Sequence, residues 1–238
     1  MPSSLNNDDD ASDGKTARRG NHPAEKILYT RLVEAIIDKR LRPGEHLNEW
    51  KLAQAYDVPR SRVRRVLERL REERVVEIRL NQGAFVSRPT VEEAHQVFEA
   101  RCHLECAVVR LACARATKED LARLREHLRL EEEMFATGRT DVNRLAGDFH
   151  SVVAAIGRNA ILEHHLNNLI RRGCLIQSVY ERANGTLCLT HEHSRIVDCI
   201  EANDPEGAVK EMQAHFDHVL GHLELTEERQ REVDIYGT

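Results

Sequence analysis

The sequence predicts a mainly α fold: an N-terminal winged helix-turn-helix (three helices plus a β-hairpin) followed by an all-α antiparallel helical bundle. Three observations predict it. Leu, Ala, Glu and Arg abound among the 238 residues, while 4% are aromatic and six are Pro; that bias favours helix over sheet. Strand-like patterning is confined to residues 75–86. Charge is also segregated: residues 15–88 carry a net +8, whereas residues 1–14 carry −4 and residues 89–238 carry −9. A basic segment seeks a polyanion through counterion release, although a solvated basic helix would show the same excess. The 41% hydrophobic content excludes a wholly disordered chain. No run approaches the ~20 apolar residues of a membrane-spanning helix. The start lacks the basic-then-apolar pattern of a secretory signal, so a cytoplasmic protein without a membrane partner is expected. Six irregularly spaced cysteines read as buried thiols rather than a disulfide framework.

The elements follow in order. Residues 1–20 are polar and read as a disordered tail; residues 21–88 form the first module. Ile27, Leu28, Leu32, Val33, Ile36 and Ile37 recur at helical spacing. Leu41-Arg42-Pro43-Gly44 stops that helix. Asn48 caps a second, short helix over 49–56, with Leu52 and Ala53 inward. Trp50 is expected to pack within the module. Asp57-Val58-Pro59 turns the chain, and Ser61 caps a third helix running to about Glu73. Val63, Val66, Leu67 and Leu70 make its apolar stripe. Its other face carries Arg62, Arg64, Arg65, Arg69 and Arg71, with Arg60 just before. Val75-Val76-Glu77-Ile78 and Ala84-Phe85-Val86 read as strands joined by a turn at Asn81-Gln82-Gly83.

This arrangement can read double-stranded DNA. A helix fits the major groove, and Arg forks onto guanine or phosphate. Gly83 lets the hairpin tip approach the backbone or the minor groove. An Arg-covered surface helix is the plainer alternative.

Residues 89–228 hold no convincing strand. Helical patterns cover about 91–115, 118–137, 141–157, 159–183, 188–202 and 205–228, joined by short connections, as in an antiparallel bundle. Residues 229–238 read as a C-terminal tail. Of 13 histidines, His150, His193 and His215 fall on three separate helices. Three imidazoles from three helices can converge on a divalent metal, or can be ordinary core or surface residues. Cys102, Cys106 and Cys113 share a helix face and suit core packing. His164, His165 and His191 suit solvent. Asn159 reads as a helix start.

The first module resembles the GntR family of bacterial transcription regulators. Leu41-Arg42-Pro43-Gly44-Glu45-His46-Leu47-Asn48-Glu49 is similar to that family's Leu-x-Pro-Gly-x-x-Leu-x-Glu motif. Leu52-Ala53, Val58, Arg60, Val63-Arg64, Leu67, Leu70 and Gly83-Ala84-Phe85-Val86 continue the match. The resemblance implies that Arg60 and Arg64 contact DNA and that Gly83 is the wing-tip glycine. Arg62 and Arg65 depart from the family pattern and should add phosphate attraction. With Ser61 they complete the expected DNA-binding set. The second module resembles the FCD ligand-binding domain of the FadR-like subgroup, through Glu99-Ala100-Arg101-x-x-Leu104-Glu105, Asp148-Phe149-His150, Glu192-His193-x-x-Ile196-Val197 and Ala208-x-x-x-Met212-x-x-His215. This resemblance implies an effector-binding and dimerisation domain. It also implies metal ligands at His150, His193 and His215, for zinc or nickel. The family's Asp ligand position is Ala146 here. Asp148, two residues before His150, points roughly 160° away around a helix of ~3.6 residues per turn.

A homodimeric regulator is therefore expected, binding operator DNA under control of a small organic acid. Arg101 and Arg172 are the candidates to pair with the acid's carboxylate; Arg172 also suits a surface or interface role. No residue has a claim to catalysis. A metal-dependent hydrolase or lyase with a three-histidine site is one alternative, and an effector-independent DNA-binding protein is another.

Overall fold

The computed structural model describes residues 23–137, 142–182 and 190–230. Pro23 opens α1 (Pro23–Ile37) at the first helical position, where its missing N–H costs nothing. Leu28, Leu32, Ala35, Ile36 and Ile37 face inward, and Ile27 faces solvent instead. Asn48 caps α2 (Glu49–Ala55), its side chain accepting from the Trp50 and Lys51 N–H groups. α3 spans Arg60–Glu72 and buries Val63, Val66, Leu67 and Leu70.

The wing is a small antiparallel sheet in the order β1-β3-β2. β2 (Val76–Arg79) pairs with β3 (Gly83–Val86), with Arg79 opposite Gly83 at the tip. The sequence reading missed β1 (His46–Leu47), which pairs with β3 through His46↔Phe85. Two residues are too few to show a strand period.

Six helices follow: α4 (Val91–Arg115), α5 (Lys118–Ala136), α6 (Val142–Ile156), α7 (Ala160–Tyr180), α8 (Thr190–Glu201) and α9 (Pro205–Gly221). Side chains of Thr90, Thr117, Asn159 and Asp204 cap α4, α5, α7 and α9; each such cap contributes about 1 kcal/mol. The long α4 packs on α6, α7 and α9, while α5 bridges α6 and α8. α1 docks on α6 and α7, joining the two modules.

Two expectations are corrected at the end of the chain. α9 stops at Gly221 rather than continuing to 228, and Leu223 bridges Glu181. Residues 227–230 are helical again, and the Gln230 side chain accepts from the Val91 N–H at 3.0 Å. The chain thus remains packed through 230, past the proposed start of the tail. The tail over 1–20, the breaks at Gly138 and Ala183-Asn184-Gly185, and residues 231–238 lie outside the described residues.

Candidate nucleic-acid interface and buried histidine centre

The apolar stripe of α3 fixes which face it presents. Arg60, Ser61, Arg64 and Arg65 are exposed. Arg60 and Arg64, one turn apart, converge on one carboxylate of α2: Arg60 Nη2 lies 3.0 Å and Arg64 Nε 2.9 Å from Glu49 Oε2. Exposed ion pairs contribute ~0–1 kcal/mol, so phosphate or base edges can displace Glu49 at little cost. Arg62 and Arg65 instead share Glu25 of α1, at 3.3 and 2.8 Å. Arg62 is half-buried. Ser61 does not cap α3. Pro59 holds the cap position with extended geometry, and the helix starts at Arg60. Ser61 lies inside the first turn.

An open groove of about 380 Å³ separates α2, α3 and the wing, lined by Trp50, Arg60, Arg64, Gln82 and Gly83 among others. Gly83 has φ +97°, and a Cβ there would sit 2.9 Å from His46 Nε2. The backbone conformation therefore demands glycine, and His46 would have to turn aside for any side chain. Trp50 is 57% exposed and faces this groove, contrary to the expectation that it packs inside.

The bundle buries a second constellation. His150 on α6, His193 on α8 and His215 on α9 are all buried, each offering a ring nitrogen within 4.8 Å of the others'. Phe149 stacks on His193 with ring centroids 4.0 Å apart and fixes its plane. Each imidazole engages a carboxylate through Nδ1. His150 touches Glu105, His193 lies 2.8 Å from Glu131, and His215 lies 2.9 Å from Glu192. That leaves Nε2 on each ring as the lone-pair nitrogen. His193 Nε2 is buried without a hydrogen-bond partner among the described residues, which is costly unless a ligand takes it. Carboxylates on the far nitrogen orient metal-binding histidines and raise their basicity. The donor set therefore fits a divalent metal.

Electrostatics agree with that reading. Burial lowers the His150 pKa below its ordinary value despite Glu105, and lowers that of His215 to about 3. Neutral imidazoles are the metal-binding form. Burial would raise the Glu105 carboxyl, but His150 and Arg101 outweigh it and hold it at about 2. Glu131 is held at about 2 by hydrogen bonds from His127 and His193, again against burial.

Arg101 lies inside this centre. It is 3% exposed, and its Nε donates to Glu105 Oε1 at 3.0 Å. Its guanidinium lies 5.1 Å from the Phe216 ring centroid. Arg172 is buried elsewhere, bonding the Arg74 carbonyl and pairing with Glu93. It serves the joint between modules rather than the histidines. Asp148 has a side chain 55% exposed and faces Arg144.

The sequence reading missed the supporting carboxylates. One pattern points to Glu131. Leu124, Leu128 and Glu131 fall on one buried stripe of α5, so a carboxylate occupies an apolar position. Glu105 sits in the same way between Phe98 and Val108 on α4. Such placements mark paired or ligating groups.

Comparison with known proteins matches both modules. Residues 24–86 match the model of bacterial regulatory proteins of the gntR family, and residues 96–218 match the FCD domain. The HTH-type transcriptional regulator YdhC of Bacillus subtilis is 27% identical over 210 residues, covering 86% of this chain and 93% of the relative. The Nta operon transcriptional regulator of Aminobacter aminovorans is also 27% identical, over 77% of this chain and 89% of its own length. The crystal structure of a GntR regulator from Rhodococcus sp. RHA1 superposes with TM-score 0.70 at 28% identity, over 83% of this chain and 97% of that one. E. coli McbR/YncC shares the fold at TM-score 0.73 and 19% identity, over 84% and 97% of the two chains. With both family models matched in order along a winged helix-turn-helix and a helical bundle, the chain belongs to the GntR family of DNA-binding transcription regulators, in the branch that carries an FCD domain.

Proposed function

We propose that a small organic acid, bound at a divalent metal inside the bundle, controls operator binding by the winged modules of a homodimer in the cytoplasm. One observation carries the reading: three buried histidines, each backed by a carboxylate on Nδ1, bring ring nitrogens within 4.8 Å of one another. His150, His193 and His215 would hold the ion, zinc or nickel. When bound, the ion supplies a Lewis-acid anchor for a carboxylate. Ala146, in place of a fourth ligand, leaves that coordination position to the effector or to water. Arg101 spends Nε on Glu105 and can offer its Nη groups to the acid. Phe149 and Phe216 flank the histidine rings with apolar surface. On the DNA side, Arg60 and Arg64 would leave Glu49 for base edges and phosphates, with Ser61 and Arg65 on the same exposed surface and Gly83 bringing the wing to the duplex. Arg62 would steady α3 against Glu25. A two-fold dimer would place two such surfaces on a pseudo-palindrome.

Metal analysis of untagged protein, paired with His150→Ala, tests the centre. About one zinc or nickel per chain is expected, lost in the variant; small carboxylic acids should then raise the melting temperature of the loaded protein. Full metal content in His150→Ala would overturn the ligand assignment.

A further inference from the structure

We infer that two adjacent arginines of α7, Arg171 and Arg172, position the recognition helix α3 and relay to it the state of the buried centre. This rests on the effector reading above. α3 ends against α7. Its C-cap residue Glu73 carries a carboxylate only 8% exposed. That carboxylate accepts from Tyr29 Oη at 2.5 Å, Arg69 Nε at 3.2 Å and Arg171 Nε at 3.0 Å. The next residue, Arg74, turns the chain with φ +55°, and its carbonyl accepts from Arg172. Arg172 also pairs with Glu93 in the first turn of α4. Two cations thus sit at the negative end of the α3 dipole. Four elements meet at the last turn of the DNA-reading helix: α1 through Tyr29, α3 through Arg69 and Glu73, α4 through Glu93, and α7 through the arginine pair.

The residue after the pair is Gly173. A Cβ there would lie 2.5 Å from Arg101 Nη1, so the buried arginine rests directly on the α7 backbone. Arg101 bonds Glu105, and Glu105 touches His150. Three consecutive α7 residues therefore connect the histidine centre to the end of α3. A ligand at the centre that shifts Arg101 moves it along a backbone with no side chain to absorb the change. The helix that moves holds Glu73 and Arg74. The sequence makes Arg172 a candidate for the acid or for an interface; its contacts with the Arg74 carbonyl and Glu93 give it this positioning role.

Two measurements on the full-length protein test the inference. In metal-free protein, hydrogen exchange over residues 66–76 should quicken about tenfold in Arg171→Gln, the loss expected for a charged hydrogen bond, with residues 101–110 unchanged. Equal exchange over 66–76 in variant and wild type overturns the clamp. Operator affinity, on a duplex selected from random sequence, is then read with one equivalent of zinc and with chelator. Zinc should shift wild-type affinity by about fivefold or more and leave Arg171→Gln nearly unshifted while the variant still takes up one zinc. Glu73→Gln removes the same pair from the other side and should behave alike. A variant shift as large as that of wild type overturns the relay and leaves the effector reading standing. No zinc shift in wild type overturns the relay, and the melting temperature of the loaded protein with small carboxylic acids then reports on the effector reading by itself.

Discussion

The reading face and the buried centre use the same pairing, a nitrogen base held by a glutamate, at opposite extremes of burial. On α3, Arg60 and Arg64 share Glu49 with side chains 56% and 59% exposed. In the bundle, His193 and Glu131 pair with side chains 0% and 3% exposed. Water and salt make the first pair exchangeable, and a phosphate can replace the glutamate. Burial makes the second pair fixed, because breaking it strands a charge or an orphan nitrogen. The comparison teaches that exposure decides whether a carboxylate acts as a placeholder for a polyanion or as a permanent support for a ligand.

Breaking the reading face should give a large effect. Arg64→Ala should weaken specific operator binding by about 10- to 100-fold, the loss of one good base contact, without moving the melting temperature. Fluorescence anisotropy and calorimetry check both halves, and unchanged affinity would sink the assignment of α3. Glu131→Gln sharpens the other side. Removing one oriented carboxylate should cost about 10- to 100-fold in zinc affinity, read by chelator competition; a wild-type affinity would show that Glu131 does not support the site.

The buried pairs also predict an acid dependence in metal-free protein. His150 and His215 are lowered in the fold from an ordinary value of 6.5. Their neutral burial costs nothing above pH 6.5, and stability is lost as pH falls below it, for His215 down to about 3, because the unfolded chain takes protons the fold refuses. Glu105 and Glu131, held at about 2 against an ordinary 4.5, add stability above 4.5 that is lost on further acidification. His127, raised by Glu131 against burial, acts oppositely but only above 6.5. The melting temperature should therefore fall steadily below pH 6.5, and a flat profile from pH 7 to 5 would contradict the buried neutral histidines. The smallest effect belongs to Glu49→Gln. Freeing Arg60 and Arg64 from a competing carboxylate should tighten operator binding by about two- to fivefold, within what an exposed pair is worth.

Much of this molecule is legible in the sequence, for identifiable reasons. α4 is read at its true ends, where Thr90 can cap it and Ala116-Thr117 starts the next helix. The three histidines are legible by their places on three separate helices and through the FCD resemblance. Local patterns fail where tertiary contacts decide. Leu223 and Leu225 continue a helical spacing, yet the chain leaves α9 so that Leu223 meets Glu181. Trp50 looks like core, yet α2 has seven residues and turns Leu52, Ala53 and Tyr56 inward, leaving Trp50 to the groove. Ser61 looks like a cap until Pro59 is seen to take that position. Glu131 cannot be told from Glu132 and Glu133 by type, only by its phase with Leu124 and Leu128.

On the proposed function, occupancy of the buried centre governs the exposed one. Operator affinity of wild type and His193→Ala, each measured with zinc and with chelator, tests it most directly. A zinc-dependent change of about fivefold or more is expected in wild type and none in the variant, which should still bind DNA. Identical affinities in wild type carrying one zinc per chain and in wild type carrying none would contradict it.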